Sequence, residues 1–404
     1  MALRLAIVTS HPIQYQVPLF QALASRPDIE LCVFFCHRPW PKEQANAGFG
    51  VPFEWDVPLL DRYPHRFLAN VARRPTVNSF FGLDTPEIVQ ILQSTTFDAV
   101  LVSGWHYKSY WQTFGACWRT GIPVMVRGDS HLHHERGWIR RAARELSHRV
   151  FIPRFDACIA AGQWSSEYFQ HYGGKSDRIF VVPHTPDRDR IQTEWSRLQE
   201  EIPTIRSSWN LPLDAVVFLF AGKFLKRKRP GDFIDAIHLA ALHSPNIYGL
   251  MAGDGPLLAD CRRRADRLSA PVRFTGFLNQ TKLVRAYAAV NCLVLPSELE
   301  TWGVVVNDAM ICGLPSIVSD CVGCSPELAR PYETGIVYPA GEVPALAAAM
   351  RNLTAHRTTL DAMSSTARIA SASFSPEAAA GKMADAVRSI VDSKRAGKVV
   401  SAVS

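Results

Sequence analysis

The sequence predicts an α/β protein made of two doubly wound parallel-sheet domains that face a central cleft. Three observations carry this. Short apolar runs recur along the chain without the in–out alternation of a half-exposed strand, as expected for parallel strands covered by helices on both faces. Helix-length segments separate these runs. A polar, charged stretch from Asp187 to Ser208 interrupts the series, which then restarts. The length of 404 residues fits two or three domains at roughly 100–200 residues each.

In order, the first set of expected strands is Leu3–Thr9, Glu30–Phe35, Asp98–Ser103, Pro123–Val126, Ala157–Ala160 and Ile179–Val182. Most are rich in Val, Ile and Leu, which suit a buried pleated surface. The break after Pro186 shows no strand signal and is the expected hinge region. The second set is Ala215–Ala221, Ile247–Ala252, Val272–Thr275, Cys292–Leu295, Ser316–Ser319 and Gly335–Tyr338. Ser375-Pro376-Glu377 then opens a last helix, with Ser as cap and Pro at the first helical position. The small, polar tail after Val391 is expected to fray. The expected boundaries are 1–190 for the first domain, 191–375 for the second and 376–395 for the terminal helix.

Composition narrows the class. Hydrophobic residues make up 47% and charged residues 20%, which excludes a disordered chain. No apolar run approaches the roughly 18 residues that span a bilayer. The run Leu5 to Val8 is too short for the core of a signal peptide. Nine Cys, an odd number, read as reduced thiols and point to the cytoplasm. Cys321-Val-Gly-Cys324 is a lone pair without a second ligand pair, so turn residues are favoured over a zinc or redox site.

Charge is concentrated. The net charge is +7, yet 136–154 alone carries six Arg against one Glu, and Lys223–Arg229 carries five cations. The rest of the chain is slightly acidic. Two such patches attract phosphate in a nucleotide, a nucleic acid or a lipid head group. Within 136–154, Arg136, Arg140, Arg141, Arg144, Arg149 and Arg154 alternate with Trp138 and Ile139, a pattern that suits a basic amphipathic helix on an anionic membrane and equally a solvated helix face.

The chemistry-bearing stretch is 296–327. A strand ends at Leu295, an acidic loop follows, and Gly303 stands where a helix begins that stops at Gly313. A helix start after a strand offers free N–H groups and a positive dipole end to phosphate, and Gly303 lets the backbone approach a ligand. Thr301, Trp302 and Val304 flank that start. Glu300 precedes it and Asp308 lies eight residues on, roughly 12 Å along a helix. Paired carboxylates at that spacing suit a sugar and a ribose joined by a diphosphate; a loop acid plus a solvated helix acid is the open alternative. After another strand come Gly222, Lys223 and Lys228, mobile point charges suited to a diphosphate leaving group. Gly253-Asp254-Gly255-Pro256 and Gly276-Phe277 close two further strands as tight turns, mostly structural in character.

These elements, in this order, resemble the donor-binding domain of family 4 (group 1 type) glycosyltransferases, which have the GT-B fold. Glu300 matches the first acid of the family signature, Asp308 stands where the family has a second Glu, and Ala309-Met310 and Gly313 match the continuation. Gly222-Lys223 and Lys228-Arg229 match the family's basic motif, with one Arg replaced by Lys and one Gly by Arg. The resemblance is close over 215–390 and looser before it. The usual Gly-rich turn after the first strand is replaced by Ser10-His11-Pro12-Ile13-Gln14-Tyr15-Gln16, so His11, Gln14 and Tyr15 become cleft candidates. In such enzymes a His after the fifth-strand region lies near the anomeric carbon. Here Val126-Arg127-Gly128-Asp129-Ser130-His131 puts Asp129 at that position and His131 two residues on. Arg127, His106 and His184 complete the cleft candidates.

The resemblance implies a retaining, metal-independent transferase that moves a hexose or N-acetylhexosamine from a nucleoside-diphosphate sugar to a glycan, lipid-linked or small-molecule acceptor. The nucleotide sugar is a substrate, and no cofactor is expected. A nucleotide-sugar epimerase and a catalytically silent nucleotide-sugar-binding subunit are the alternatives. Nucleic acid is not an expected partner, since no recognised module accompanies the basic patches. The expected location is cytoplasmic, with the inner face of the membrane as the surface that 136–154 would meet.

Overall fold

The protein is described by a computed structural model covering residues 2–40, 50–133, 138–331 and 333–403, without side-chain detail at 139, 140 and from 397 onward. The chain folds as two units. One comprises 1–39, 58–185 and 376–404; the other comprises 40–57 and 186–375.

The first unit is built on a seven-stranded sheet. Its strands are β1 (Leu3–Thr9), β2 (Ile29–Phe35), β3 (His65–Phe67), β4 (Ala99–Val102), β5 (Val124–Gly128), β6 (Ala157–Ala160) and β7 (Ile179–Val181). The order is β3-β2-β1-β4-β5-β6-β7, and every neighbour is parallel. Both faces are covered, which explains the missing alternation. Leu5, Ile7, Leu101 and Met125 pack on one side with helix Val17–Ala24. Ala6, Val8, Val100 and Val126 pack on the other with helices Glu87–Ser94 and Lys108–Thr120.

Two features of this unit depart from the sequence reading. Strand β3 was not expected: His65-Arg66-Phe67 is short, only partly buried and has no apolar run to announce it. The terminal helix runs from Pro376 to Val403 and does not stop near Val391. Its Ala380, Met383, Val387 and Ile390 join the core of the first unit. Beyond Val391, Lys394 reaches Asp156 at 3.3 Å and Arg395 reaches Asp98 at 3.0 Å. This helix is therefore an integral layer of the first unit, and the small Ala side chains allow its close approach to the sheet.

The second unit holds β8 (Val216–Ala221), β9 (Ile247–Ala252), β10 (Val272–Gly276), β11 (Cys292–Leu295), β12 (Ser316–Ser319) and β13 (Gly335–Tyr338). The order is β10-β9-β8-β11-β12-β13, again parallel throughout. The polar break is helical. Asp187 caps helix Arg188–Arg197 by accepting from the Arg190 N–H at 3.2 Å, and helix Ile202–Ser208 follows. Both belong to the second unit. The segment 40–57 also goes with this unit: the Asn279 amide donates to the Glu54 carbonyl at 2.6 Å, and the Phe53 and Phe277 rings lie 4.4 Å apart.

Candidate active site

In each unit the sheet order reverses between two neighbouring parallel strands, and ligands of such sheets bind at the carboxyl ends of those strands. In the second unit the pair is β8 and β11. In the first it is β1 and β4. Most of the sequence-predicted residues gather at these two places; Gln14, His131, Trp302 and Asp308 do not.

In the second unit, three loops are stitched by backbone hydrogen bonds. Gly222 donates to Ala252 at 3.0 Å, Gly253 to Gly276 at 2.9 Å, and Phe224 to the Asp254 carbonyl at 2.9 Å. Gly253 and Gly255 have φ of +140° and +147°. A Cβ on Gly253 would overlap the Gly222 carbonyl oxygen, and one on Gly255 would press on the Phe224 backbone. These glycines therefore serve the loop packing. Gly222 has open space where a side chain would stand, so its backbone remains approachable. Phe277 meets the Phe53 ring at a tilt of 41° and so braces residues 50–57.

The loop after β8 carries the cations. Lys228 contacts the Glu300 carboxylate that follows β11, and both side chains are largely buried, at 15% and 17% exposure. Burial pulls the Lys228 ammonium down to about 7, helped by Arg227 and Lys223. Burial beside Arg227 lowers Lys223 to about 8. The site thus holds crowded, poorly hydrated cations with one carboxylate between them, an arrangement that favours an arriving polyanion. Arg229 is turned away to Asp232 and Glu298, the latter at 3.0 Å.

Gly303 begins helix Val304–Ile311 with φ +106°, a left-handed conformation that favours glycine. The preceding loop is held from behind. Gly323 donates to the Glu300 carbonyl at 2.9 Å and Cys324 to the Trp302 carbonyl at 3.0 Å. A Cβ on Gly323 would overlap the Thr301 carbonyl oxygen. The Cys321–Cys324 stretch is thus a packing turn that fixes the height of Glu300. Burial pushes both thiols up, which disfavours the thiolate. Sequence reasoning saw the two Cys and missed Gly323, because nothing local announces a backbone clash with a loop 22 residues away.

Two donor-side expectations change. Trp302 is 2% exposed, and its indole N–H donates to Asn307 at 2.9 Å, so it is a core residue. Asp308 is 6% exposed and does not stand open beside Glu300. Its carboxyl accepts from the Tyr287 hydroxyl at 3.4 Å. Burial raises it to about 7, against the pull of Arg190 and Tyr287. Asp is one methylene shorter than Glu, and from mid-helix it reaches Tyr287 without emerging from the core. Neither Tyr287 nor Arg190 was singled out in the sequence, since a partner of this kind is set by helix packing alone.

In the first unit, a cavity of about 230 Å³ opens at the ends of β1, β4 and β5. It takes in His11, Tyr15, His106, Arg127, Asp129 and His184 of the predicted set. Gln14 is not among its lining residues; Gln16 is, held by Thr9 at 3.2 Å. Trp105, Tyr107 and Tyr110 supply aromatic walls that the sequence reading left unassigned. His184 Nε2 lies 3.7 Å from Asp129, and the Tyr15 ring meets the His184 ring edge-on at 5.0 Å. Burial lowers the His184 ring, so it is neutral near pH 7. His131 is displaced from the expected position. It does not line the cavity, is 2% exposed and packs on Trp164 at 5.3 Å. Burial and His133 lower it to about 4. Asp129 and His184 are the pair that faces the cavity instead.

Asp187 and Asp189 form an Asp-x-Asp pair, but Asp187 is engaged as a helix cap and as a partner of Arg190 at 3.7 Å. Among the described residues no group of three or more His, Cys, Asp and Glu could hold a metal ion.

Two doubly wound units of this connectivity define a protein of the GT-B fold. Two solved structures share it. A glycosyltransferase from Rickettsia africae has a TM-score of 0.73 at 12% identity, covering 97% of this chain and 99% of that one. Anabaena HepE in complex with UDP-glucose has a TM-score of 0.69 at 18% identity, covering 96% and 100%. Residues 201–370, within the second unit, match the family described as "Glycosyl transferases group 1". The chain is also similar to D-inositol 3-phosphate glycosyltransferase 2 of Catenulispora acidiphila, at 26% identity over 296 residues, 64% of this chain and 66% of that protein. It spans about half to two thirds of the length of the curated relatives it matches.

Proposed function

We propose that the protein is a glycosyltransferase that moves a hexose or N-acetylhexosamine from a nucleoside-diphosphate sugar to an acceptor hydroxyl, with retention of configuration. The single observation that carries this is the Lys228–Glu300 contact beside Lys223, at the start of helix Val304–Ile311. The cations and the helix end would hold the diphosphate and stabilise its departure. Glu300, fixed by Gly323 and Lys228, would orient the sugar. Asp308 would act as a positioning residue through Tyr287, with no direct ribose bond. The acceptor would enter at the first unit's cavity, near Asp129 and His184. Front-face departure of the nucleotide then needs no protein nucleophile. The names of its relatives, and the UDP-glucose bound to HepE, support a nucleotide-sugar donor.

The test is nucleoside diphosphate release from a panel of nucleotide sugars, with and without glycan, lipid-linked and small-molecule acceptors. Release that rises with an acceptor supports the reading. Binding of a donor without any release favours a catalytically silent subunit, a second reading to which the burial of Asp308 gives some weight. The diphosphate site is made of Lys and backbone donors, so activity should survive EDTA. Complete loss, restored by Mg²⁺ or Mn²⁺, would show that a metal is essential.

We also propose a contact with anionic membrane through 136–154. Arg136 lies outside the described residues, as does the side chain of Arg140. On helix Trp138–Phe151, Trp138, Leu146 and Val150 are exposed at 79%, 74% and 60% and fall on one stripe. Arg141 and Arg149 are exposed on the same helix, while Arg154 rests over the Trp118 ring at 5.3 Å. Arg141 flanks these apolar side chains and Arg149, paired with Glu145 at 2.7 Å, lies among them, a mixed basic and apolar face that fits a membrane surface. Among the described residues no helix is long and apolar enough to cross one. Co-sedimentation with phosphatidylserine vesicles should occur at low salt and weaken at high salt. Absence of binding at low ionic strength would remove this surface from the proposal.

A further inference from the structure

Arg229 holds a backbone conformation that its residue type disfavours. It follows Lys228 directly, adopts φ +50° and ψ +48°, and precedes Pro230, the first residue of helix Pro230–Ala241. A left-handed conformation is costly for a residue with a Cβ, and the residue before a proline prefers extended backbone. Such strain persists only where the surroundings over-determine it, and it collects at functional sites.

The side chain supplies what over-determines it. Its Nε donates to Asp232 Oδ2 at 2.6 Å and its Nη1 to Glu298 Oε2 at 3.0 Å. Asp232 lies in the first turn of the same helix, and Glu298 lies in the loop after β11. Gly341, in the turn after β13, leaves room for the guanidinium: a Cβ there would stand 3.0 Å from Nη2. Arg229 is thus wedged where the loops after β8, β11 and β13 meet. The bond from Asp232, with Glu298 adding to it, raises the guanidinium above its ordinary value.

The loops after β8 and β11 are also the two that carry the proposed diphosphate site. They are tied at three neighbouring points. The Glu298 N–H donates to the Arg227 carbonyl at 2.9 Å, Arg229 meets the Glu298 carboxylate, and Lys228 meets the Glu300 carboxylate. The consecutive side chains of 228 and 229 therefore grip the alternate side chains 300 and 298 of the facing loop. Lys228 is a point charge on a flexible stem, and on its own it would not fix the spacing of the loops. The rigid fork of Arg229 does so.

We infer that Arg229 is a positioning residue for the donor diphosphate: it clamps the loop after β11 to the loop after β8 and so sets Lys228 and Glu300 at the spacing that receives the donor, without touching it. This inference rests on the donor-binding role proposed for Lys228 and Glu300. Glycine would sit at 229 with less strain and would leave the two loops untied.

The test is calorimetric binding of UDP, ADP and GDP to the full chain at about pH 6.5, where Lys223 and Lys228 keep most of their charge, together with thermal melts. For the nucleotide that binds, Arg229→Gly should raise Kd about three- to tenfold, the scale of one partly buried charge-assisted bridge. Its Tm should stay level or rise, because glycine relieves the left-handed strain. Glu298→Gln cuts the same bridge from the other side, keeps the strained backbone and should also raise Kd. The double variant should bind no more weakly than the weaker single variant, since both changes remove one bridge. Affinity that falls while stability does not marks positioning; a merely structural arginine would lose both together. Circular dichroism checks folding, and if Arg229→Gly fails to fold, Glu298→Gln still decides. Wild-type affinity in the folded single variants, weakening that multiplies in the double variant, or a loss of affinity in Arg229→Gly matched by a loss of Tm would each overturn the inference. Failure of the proposed function reads differently. Nucleotide binding that the variants weaken, without nucleoside diphosphate release from any nucleotide sugar, would remove the transferase reading and leave the clamp standing. A wild type that binds none of the three nucleotides would remove the diphosphate site and the clamp together.

Discussion

Glu300→Gln should lower kcat by about 10- to 150-fold, the effect of losing one charge-assisted hydrogen bond to the reacting sugar. The structure adds a second effect. Glu300 is the carboxylate against Lys228, so its removal leaves that ammonium buried beside Arg227 and Lys223 without compensation. Lys228 would then lose its proton at lower pH, and donor KM should rise together with the fall in kcat. The sign follows from the lowered values of about 7 for Lys228 and about 8 for Lys223. Each cation is present below its value and lost above it. In the wild type donor KM should therefore increase from pH 6.5 to 9. In Glu300→Gln the increase should begin at lower pH. Steady-state kinetics across that range measure both. An unchanged kcat would show that Glu300 does not position the sugar, and a flat KM profile would show that these lysines do not hold the diphosphate.

Asp308→Asn should stabilise the protein more at pH 8 than at pH 5. Burial raises the Asp308 carboxyl from 3.8 to about 7, so the folded protein binds this proton more tightly than the unfolded chain does. The stability that comes with the proton is fully present below about pH 4 and is lost as pH rises through about 7. At pH 8 the wild type must carry a buried carboxylate, which Asn avoids while still accepting from Tyr287. The change from 3.8 to about 7 corresponds to roughly 4 kcal/mol in all, of which roughly 2.7 kcal/mol separates pH 5 from pH 8. For a unit of this size that difference is roughly 5–11 °C in Tm. Thermal melts of both proteins at pH 5 and pH 8 are the measurement. Equal differences at the two pH values would mean that Asp308 is not raised. Donor KM of the same variant reports on the ribose: a large increase would place the carboxyl in the nucleotide site after all.

These two acids show what a local sequence pattern carries and what it does not. Glu300 was legible because its context is local: a strand end, a loop and a glycine helix start follow one another within a few residues. Asp308 was legible as a position and not as an environment. Its neighbours Tyr287 and Arg190 come from distant segments, and only packing sets whether a carboxylate on a helix faces solvent or core. His131 failed for the same reason. The count along the chain placed it beside Asp129, but its ring packs on Trp164, and His184, brought in from the end of β7, takes the place facing the cavity.

What the sequence by itself determined is the parallel-sheet architecture of the two units, most strand positions, and the basic and acidic loops at the second sheet's carboxyl edge. Apolar periodicity, glycine and charge are properties of short stretches, and the backbone answers to them locally. Only the tertiary structure decided that the terminal helix completes the first unit and that Gly323 holds the Glu300 loop. It alone showed that Lys228 meets Glu300, that Asp308 is buried, and that Arg229 joins the loops after β8 and β11. Each of these depends on which segments meet across the fold. Burial and partner, more than residue type, then set the charge state and reach of every ionisable group at the site.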